Sequence, residues 1–247
     1  MAEAAEEVSE DTLLDGRVRL KQLTRGHRAG TDAVLLAAAA TPLPGDTVAD
    51  VGAATGAVGL MIAARVPDLR LVFVERAPEL VALCRENVAL NGLEDRARVI
   101  EADVLAPGLP EVPRGEADLV ATNPPFLDAA RSRRSTDGGR AAAHELAEGG
   151  LPLWLAACAR VLRPKGRLVL IHRADRLDEV LRAFPRGFGG LALRFVHPRA
   201  DGAATRVLVS ARKGSRAPLS VAPPLILHED ARFTQEAGAM HRGEAVR

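Results

Sequence analysis

The chain has 247 residues, 47% of them hydrophobic, enough for one sizeable core, and one domain with short appendages is the simplest expectation. No apolar run approaches the ~18 residues that a membrane-spanning helix needs, and the N-terminal stretch is acidic rather than basic, so a soluble cytoplasmic protein is expected. The net charge of +1 hides an asymmetry: residues 121–247 hold 21 Lys and Arg against 12 Asp and Glu, whereas the preceding residues hold 12 against 20.

Residues 1–11 are small, acidic and aperiodic, and are expected to be disordered. Asp15-Gly16 separates two short apolar stretches and reads as a hairpin turn. Thr31 or Asp32 is placed to cap a helix running to Ala40, closed by Pro42 and Pro44. From Thr47 onward, β-branched apolar runs at 47–51, 69–75, 97–102, 118–122 and 167–172 alternate with helical stretches at 57–65, 78–91, 151–162 and 176–184. That alternation demands a parallel sheet covered on both faces. The rhythm breaks at 191–197 and 205–211, where the connection around Asp201-Gly202 is too short for a crossover helix, so these two strands must pair antiparallel. The expected fold is therefore α/β and Rossmann-like, a seven-stranded mostly parallel sheet ending in an antiparallel hairpin with helices on both faces. Residues 12–216 are expected to form this domain, with 217–247 an extension packed on it.

The turn from the first strand of the alternating region into its helix carries Asp50, Gly52, Ala53, Ala54, Gly56 and Gly59. Gly52 permits close approach of a ligand to the backbone and Gly56 frees the helix start, but the spacing departs from the dinucleotide Gly-x-Gly-x-x-Gly pattern. An acid at position 50 suits a ligand that carries an ammonium group and is useless for a pyrophosphate. Glu75 closes the next strand, where it can accept ribose hydroxyls, and Asp103 follows the third, where it can accept from an adenine amine while the Val104 amide meets a ring nitrogen. Three acids at the carboxyl ends of successive parallel strands line the crevice in which such folds bind ligands.

Asn123-Pro124-Pro125-Phe126 follows the fourth strand. The lone pair of an aromatic or amide amino group is delocalised, so the nitrogen must be bent towards tetrahedral geometry before it attacks. Acceptors aimed at its two N–H groups do this: the Asn123 side-chain oxygen and the Pro124 carbonyl, held by the proline rings. Phe126 supplies a face for a planar substrate to stack on. The segment that follows, with Arg131, Arg133, Arg134 and Arg140, reads as a loop that grips phosphates. The basic half of the chain likewise favours nucleic acid, although only Lys21, Lys165 and Lys213 are lysines and coding bias contributes to the arginines.

The loop glycines, the strand-end acids and Asn-Pro-Pro-Phe together resemble the amino-methyltransferases that use S-adenosylmethionine. More narrowly, the segment Arg28-Ala29-Gly30-Thr31-Asp32-Ala33-Val34-Leu35-Leu36 resembles the block ahead of the cofactor loop in the bacterial tRNA1(Val) adenine-N6-methyltransferase family. The resemblance covers residues 12 to about 240. It implies S-adenosylmethionine as cofactor, tRNA as partner, transfer to the exocyclic amino group of adenine, and Gly30, Thr31 and Asp32 beside the methionine part of the cofactor. The sequence departs from the family pattern in two places: Phe126 replaces the commoner tyrosine, the chain having no tyrosine, and Ala53-Ala54 stand where a glycine is often found.

Methylation of a release-factor glutamine amide or of a guanine N2 in ribosomal RNA stays open, because the same four residues serve those acceptors. A DNA methyltransferase would need a target-recognition insert, and a cofactor-binding regulatory protein would leave Asn123 idle. Cys84 and Cys158 lie in apolar helical patterns without CxxC spacing and read as buried thiols. The six histidines share no metal spacing, so no metal is expected; His172, at the end of the fifth strand, lies near the expected crevice.

Overall fold

The computed structural model describes residues 7–26, 28–106, 112, 114–125 and 150–244. In chain order these form the hairpin β1 (Val8–Leu13) and β2 (Val18–Leu23), then α1 (Thr31–Ala39), β3 (Thr47–Val51), α2 (Ala57–Arg65), β4 (Arg70–Glu75), α3 (Pro78–Leu90), β5 (Ala97–Glu101) and β6 (Ala117–Thr122). After residue 149 come α4 (Gly150–Val161), β7 (Leu162–Arg173), α5 (Leu177–Ala183), β8 (Phe188–His197) and β9 (Arg206–Lys213). Short strands β10 (Ser220–Val221), β11 (Leu225–Ile226), β12 (His228–Glu229) and β13 (Arg232–Phe233) precede α6 (Gln235–His241).

The main sheet runs β5-β4-β3-β6-β7-β9-β8, parallel from β5 to β7 and antiparallel at β9. The strand order reverses between β3 and β6, and this switch point opens the crevice at the carboxyl ends of those strands. Helices α1, α2 and α6 cover one face around Leu35, Leu60, Phe73 and Met240; α4 and α5 cover the other around Val51, Leu155, Leu170 and Val180. β3 and β6 are buried along almost their whole length, as strands covered on both faces must be.

Four expectations are corrected. The sheet has nine strands rather than seven, because β10 and β11 each add two residues in parallel to the outer edge of β8. Such two-residue strands in a Pro-rich stretch leave no alternation to read. Residues 8–11, expected to be disordered, belong to β1 and pair with 20–23 of β2. There Asp11 accepts from the Gln22 amide at 2.9 Å and pairs with Arg28 at 2.7 Å, so its charge is used inside the fold. The hairpin turn takes four residues rather than two, since Leu13 pairs with Val18 and Leu14, Asp15 and Gly16 all have positive φ. Finally, α1 is capped by Gly30 without a side-chain bond; Asp32 instead pairs with Arg206 at the start of β9, at 2.8 Å.

The extension beyond residue 216 packs on the domain. α6 and Leu225 join the core on the α1 face, and the Arg17 guanidinium donates to the Gly243 carbonyl at 3.2 Å.

Candidate active site at the switch point

The site is built on the loop that leaves β3. Gly52 and Gly56 have φ of 73° and 87°, backbone that side chains with a Cβ adopt only at a cost, and the amides of Gly52 and Ala53 donate to the Val74 carbonyl at 2.9 and 3.1 Å. Gly59 is required for a different reason. A Cβ there would lie 2.4 Å from Phe73 Cε1, so its lack of a side chain lets α2 settle on β4.

Asp50 is 3% exposed, and its Oδ2 accepts the Gly59 amide of the first turn of α2 at 3.0 Å. Burial pushes its carboxyl up to about 7, the Gly59 bond pulls down, and the charge of Glu75 adds to the rise. Glu75, half-buried at the end of β4, takes the Ala54 amide on Oε2 at 2.9 Å and the Arg76 and Ala77 amides on Oε1 at 2.8 and 3.0 Å. A carboxylate has about four acceptor positions. Among the described residues these three amides occupy it, which leaves Glu75 acceptor capacity for a further donor.

Asp103 lies two residues beyond β5; its Oδ1 accepts the Leu105 amide at 2.9 Å, while Oδ2 stands 3.7 Å from the Arg76 guanidinium. Val104 is buried, and its carbonyl accepts from Arg160 of α4 at 3.2 Å. Asn123 follows β6, and its Oδ1 is buried with no hydrogen-bond partner among the described residues. Buried acceptors are nearly always paired in native proteins, so an orphaned one at a switch point marks a place where a ligand donor belongs. Pro124 beside it is buried and Pro125 exposed.

Gly30, Thr31 and Asp32 are tied to the same end of the sheet. Arg206, the partner of Asp32, stands opposite Arg173 at the carboxyl end of β7. His172, one residue before, is 7% exposed, and burial holds its imidazole below the usual range. Asp50, Glu75, Asp103 and Asn123 therefore lie at or just beyond the carboxyl ends of four adjacent strands, while Asp32 is tied through Arg206 to the carboxyl end of β7. Phe126, Arg131, Arg133, Arg134 and Arg140 lie outside the described residues.

Two features of the site were not anticipated. Trp154 of α4 presses its ring edge against Gly52 and donates from Nε1 to Thr122 Oγ1 at 2.9 Å. In the sequence it is one more apolar residue on a helix. Asn87 of α3, fully buried, donates to the Thr55 carbonyl of the loop after β3 at 2.9 Å and holds the backbone of Lys21 on both sides, with its Oδ1 taking the amide at 2.7 Å and its Nδ2 giving to the carbonyl at 2.9 Å. Asn91, one turn on, repeats this at Arg19, accepting at 3.0 Å and donating at 2.7 Å. A buried polar residue inside a helical pattern is the one sequence sign that could have flagged Asn87.

Cys84 and Cys158 are buried thiols whose pKa values burial pushes up, as the apolar patterns suggested. Among the described residues no group of three or more His, Cys, Asp or Glu could hold a metal, and no helix is long and apolar enough to cross a membrane.

Comparison with known proteins bears on the family and the fold. Residues 28–184 match the family model described as methyltransferase small domain. A tRNA1(Val) (adenine(37)-N6)-methyltransferase of Porphyromonas gingivalis is 34% identical over 171 residues, 66% of this chain and 66% of that protein's own length. A release factor glutamine methyltransferase of Mycolicibacterium smegmatis is 32% identical over 64% of this chain and 57% of its own. Among solved structures, one from Agrobacterium tumefaciens described as a predicted O-methyltransferase superposes with a TM-score of 0.73 at 30% identity, covering 87% of this chain and 98% of that one.

Proposed function

Since the chain belongs to the methyltransferase small domain family, we propose that it transfers a methyl group from S-adenosylmethionine to the exocyclic amino nitrogen of a nucleobase, adenine N6 in tRNA. The observation that carries this reading is the buried Oδ1 of Asn123 at the switch point, which has no partner among the described residues. An acceptor suits an amino group, which brings two N–H donors. The relatives named for tRNA1(Val) adenine-N6 transfer support adenine over other acceptors.

The residues present fit the cofactor. The left-handed turn at Gly52 keeps a Cβ off the loop, Glu75 retains one acceptor position, and Asp103 offers a carboxylate beyond β5. In the proposed arrangement Gly30, Thr31, Asp50, Gly52, Ala53 and Gly56 surround the amino acid end of the cofactor, Glu75 the ribose, and Asp103 and Val104 the adenine. When bound, S-adenosylmethionine supplies a methyl group activated by a sulfonium whose thioether leaves without acid catalysis.

The protein's own work is positioning. Asn123 Oδ1 accepts one N–H of the substrate amine and the Pro124 carbonyl the other, which draws the lone pair out of conjugation and aims it at the methyl carbon. The bound cofactor would supply the methyl group and take the electron pair of the broken bond onto its sulfur, so that the amine held by Asn123 and Pro124 would need only to lose a proton to water. Phe126 stacks the base, and the arginines at 131, 133, 134 and 140 hold the phosphates around it. The protein works in this reading as a soluble cytoplasmic enzyme.

The test is incubation of the purified protein and its Asn123→Ala variant with methyl-labelled cofactor and unmodified tRNA, followed by nucleoside mass spectrometry. The expected product is N6-methyladenosine, and the variant should lose about 10²–10³ in kcat at unchanged cofactor affinity. No label on tRNA, with label on a release factor offered in a parallel incubation, would move the assignment to the glutamine amide, as in the name of the M. smegmatis relative.

A further inference from the structure

Trp154 is the single tryptophan of the chain, and it stands where three parts of the site meet. Its ring edge lies so close to Gly52 that a Cβ there would fall 2.9 Å from Cζ2 and 3.0 Å from Cη2. Its Nε1–H donates to Thr122 Oγ1 at 2.9 Å, and the Thr122 hydroxyl donates onward to the Val51 carbonyl at 2.8 Å. A threonine hydroxyl has one proton, so this is a directed chain from indole to hydroxyl to carbonyl. Thr122 is fully buried and Trp154 only 8% exposed, which keeps water from substituting for either partner.

The places that this chain joins give it meaning. Val51 immediately precedes Gly52, the first residue of the loop, and Thr122 immediately precedes Asn123. The indole thus touches the loop directly on one side and the strand end that carries Asn123 on the other. A buried indole needs an acceptor for its N–H wherever it packs; here that acceptor is the residue before Asn123, and the ring edge rests on the first residue of the loop.

We propose that Trp154 is a positioning residue that, through Thr122, holds the cofactor loop and Asn123 in register, so that the methyl donor and the acceptor of the substrate amine keep a fixed separation. Transfer is steep in that separation, since a misplacement of about 1 Å can cost about 10²-fold in rate. The kinetic part of this inference rests on the methyltransferase reading above. The part that concerns the cofactor loop does not.

The experiment compares wild type with Trp154→Phe, Thr122→Val and Thr122→Ser. The valine variant is near-isosteric and removes the hydroxyl; the serine variant restores it. Emission of the lone tryptophan is followed during titration with S-adenosylmethionine in the absence of RNA, and should shift to saturation in wild type and in Thr122→Ser. Thr122→Val should show a smaller shift and a kcat about tenfold lower with the KM for RNA unchanged, while Thr122→Ser stays within about twofold of wild type. Trp154→Phe should lower kcat by a similar factor, and the Trp154→Phe, Thr122→Val double variant should be no worse than the poorer single one, because both break the same link.

Wild-type kcat in Thr122→Val, additive losses in the double variant, or an emission that ignores the cofactor would overturn the proposal. Equal loss in the valine and serine variants would do the same, by reducing Thr122 to a packing residue. If tRNA is not methylated at all, the cofactor-dependent emission of wild type and Thr122→Ser against Thr122→Val still decides whether the link exists, which separates this failure from a failure of the assigned reaction.

Discussion

At the scale of single residues, Asp50 shows how one carboxylate can serve two tasks with opposite requirements. Its burial and its bond to Gly59 tie the start of α2 to the end of β3, and its carboxyl is raised to about 7. A folded-state value above the unfolded 3.8 means that the native protein binds this proton more tightly than the unfolded chain. The resulting stabilisation is complete below pH 3.8 and is lost as the pH rises towards 7, a difference of about 4 kcal/mol. Asp50→Asn keeps an acceptor for Gly59 and removes the titration, so its melting temperature should fall less than that of wild type between pH 4 and 7; parallel curves would reject this account. The cofactor should act in the opposite sense. An ammonium group near Asp50 favours its charged form, so binding at pH 6 should release a proton, visible as a calorimetric enthalpy that differs between phosphate and imidazole buffers. A buffer-independent enthalpy would place the ammonium elsewhere.

At the scale of elements, the alternating pattern carried most of the fold because each central strand is buried on both faces and α2, between β3 and β4, is buried in a continuous run. The bounds of β3 and α2 were legible to the residue. The start of β7 was not: Leu162 already pairs with Ala117, and the strand then passes an irregularity where Lys165 adopts φ 64° in a Pro-Lys-Gly run that reads as a turn. β8 likewise begins at Phe188, because Gly189 pairs with Arg212 although glycine carries no strand signal. In the site, the acids and Asn123 were legible because polar residues interrupt apolar strands there. Trp154 and Asn87 were not, since their partners are distant in sequence. Gly59 belongs to both lists: its spacing was visible, its reason was not. Gly59→Ala should therefore act through the α2–β4 contact, overpacking the buried Phe73 ring at a cost of about 1–3 kcal/mol. Urea unfolding measures this, and an unchanged midpoint would mean that α2 shifts freely.

At the scale of the molecule, charge and fold run in step. The acidic part of the sequence supplies the carboxylates at and just beyond the ends of β3, β4 and β5, and the basic part begins at the end of β6, just before Asn123. If the basic part meets RNA through the segment after Asn123, tRNA affinity should fall steeply with salt. The Arg133→Ala, Arg134→Ala double variant should then flatten that slope by about 2 while cofactor affinity stays at the wild-type value; an unchanged slope would exclude this segment as the phosphate grip. The N-terminal hairpin bears on the behaviour of the whole molecule in solution. One side of β2 pairs with β1, and on the other the N–H and C=O groups of Arg19 and Lys21 are taken up by the side-chain amides of Asn91 and Asn87. Two asparagines one turn apart on a helix thus stand in for a neighbouring strand. Without them the polar groups on this side of β2 would stand as an open edge, the kind of surface on which a second chain adds its own strand. The two amides that dock the hairpin onto α3 thereby also close the β2 side of the ribbon to such pairing.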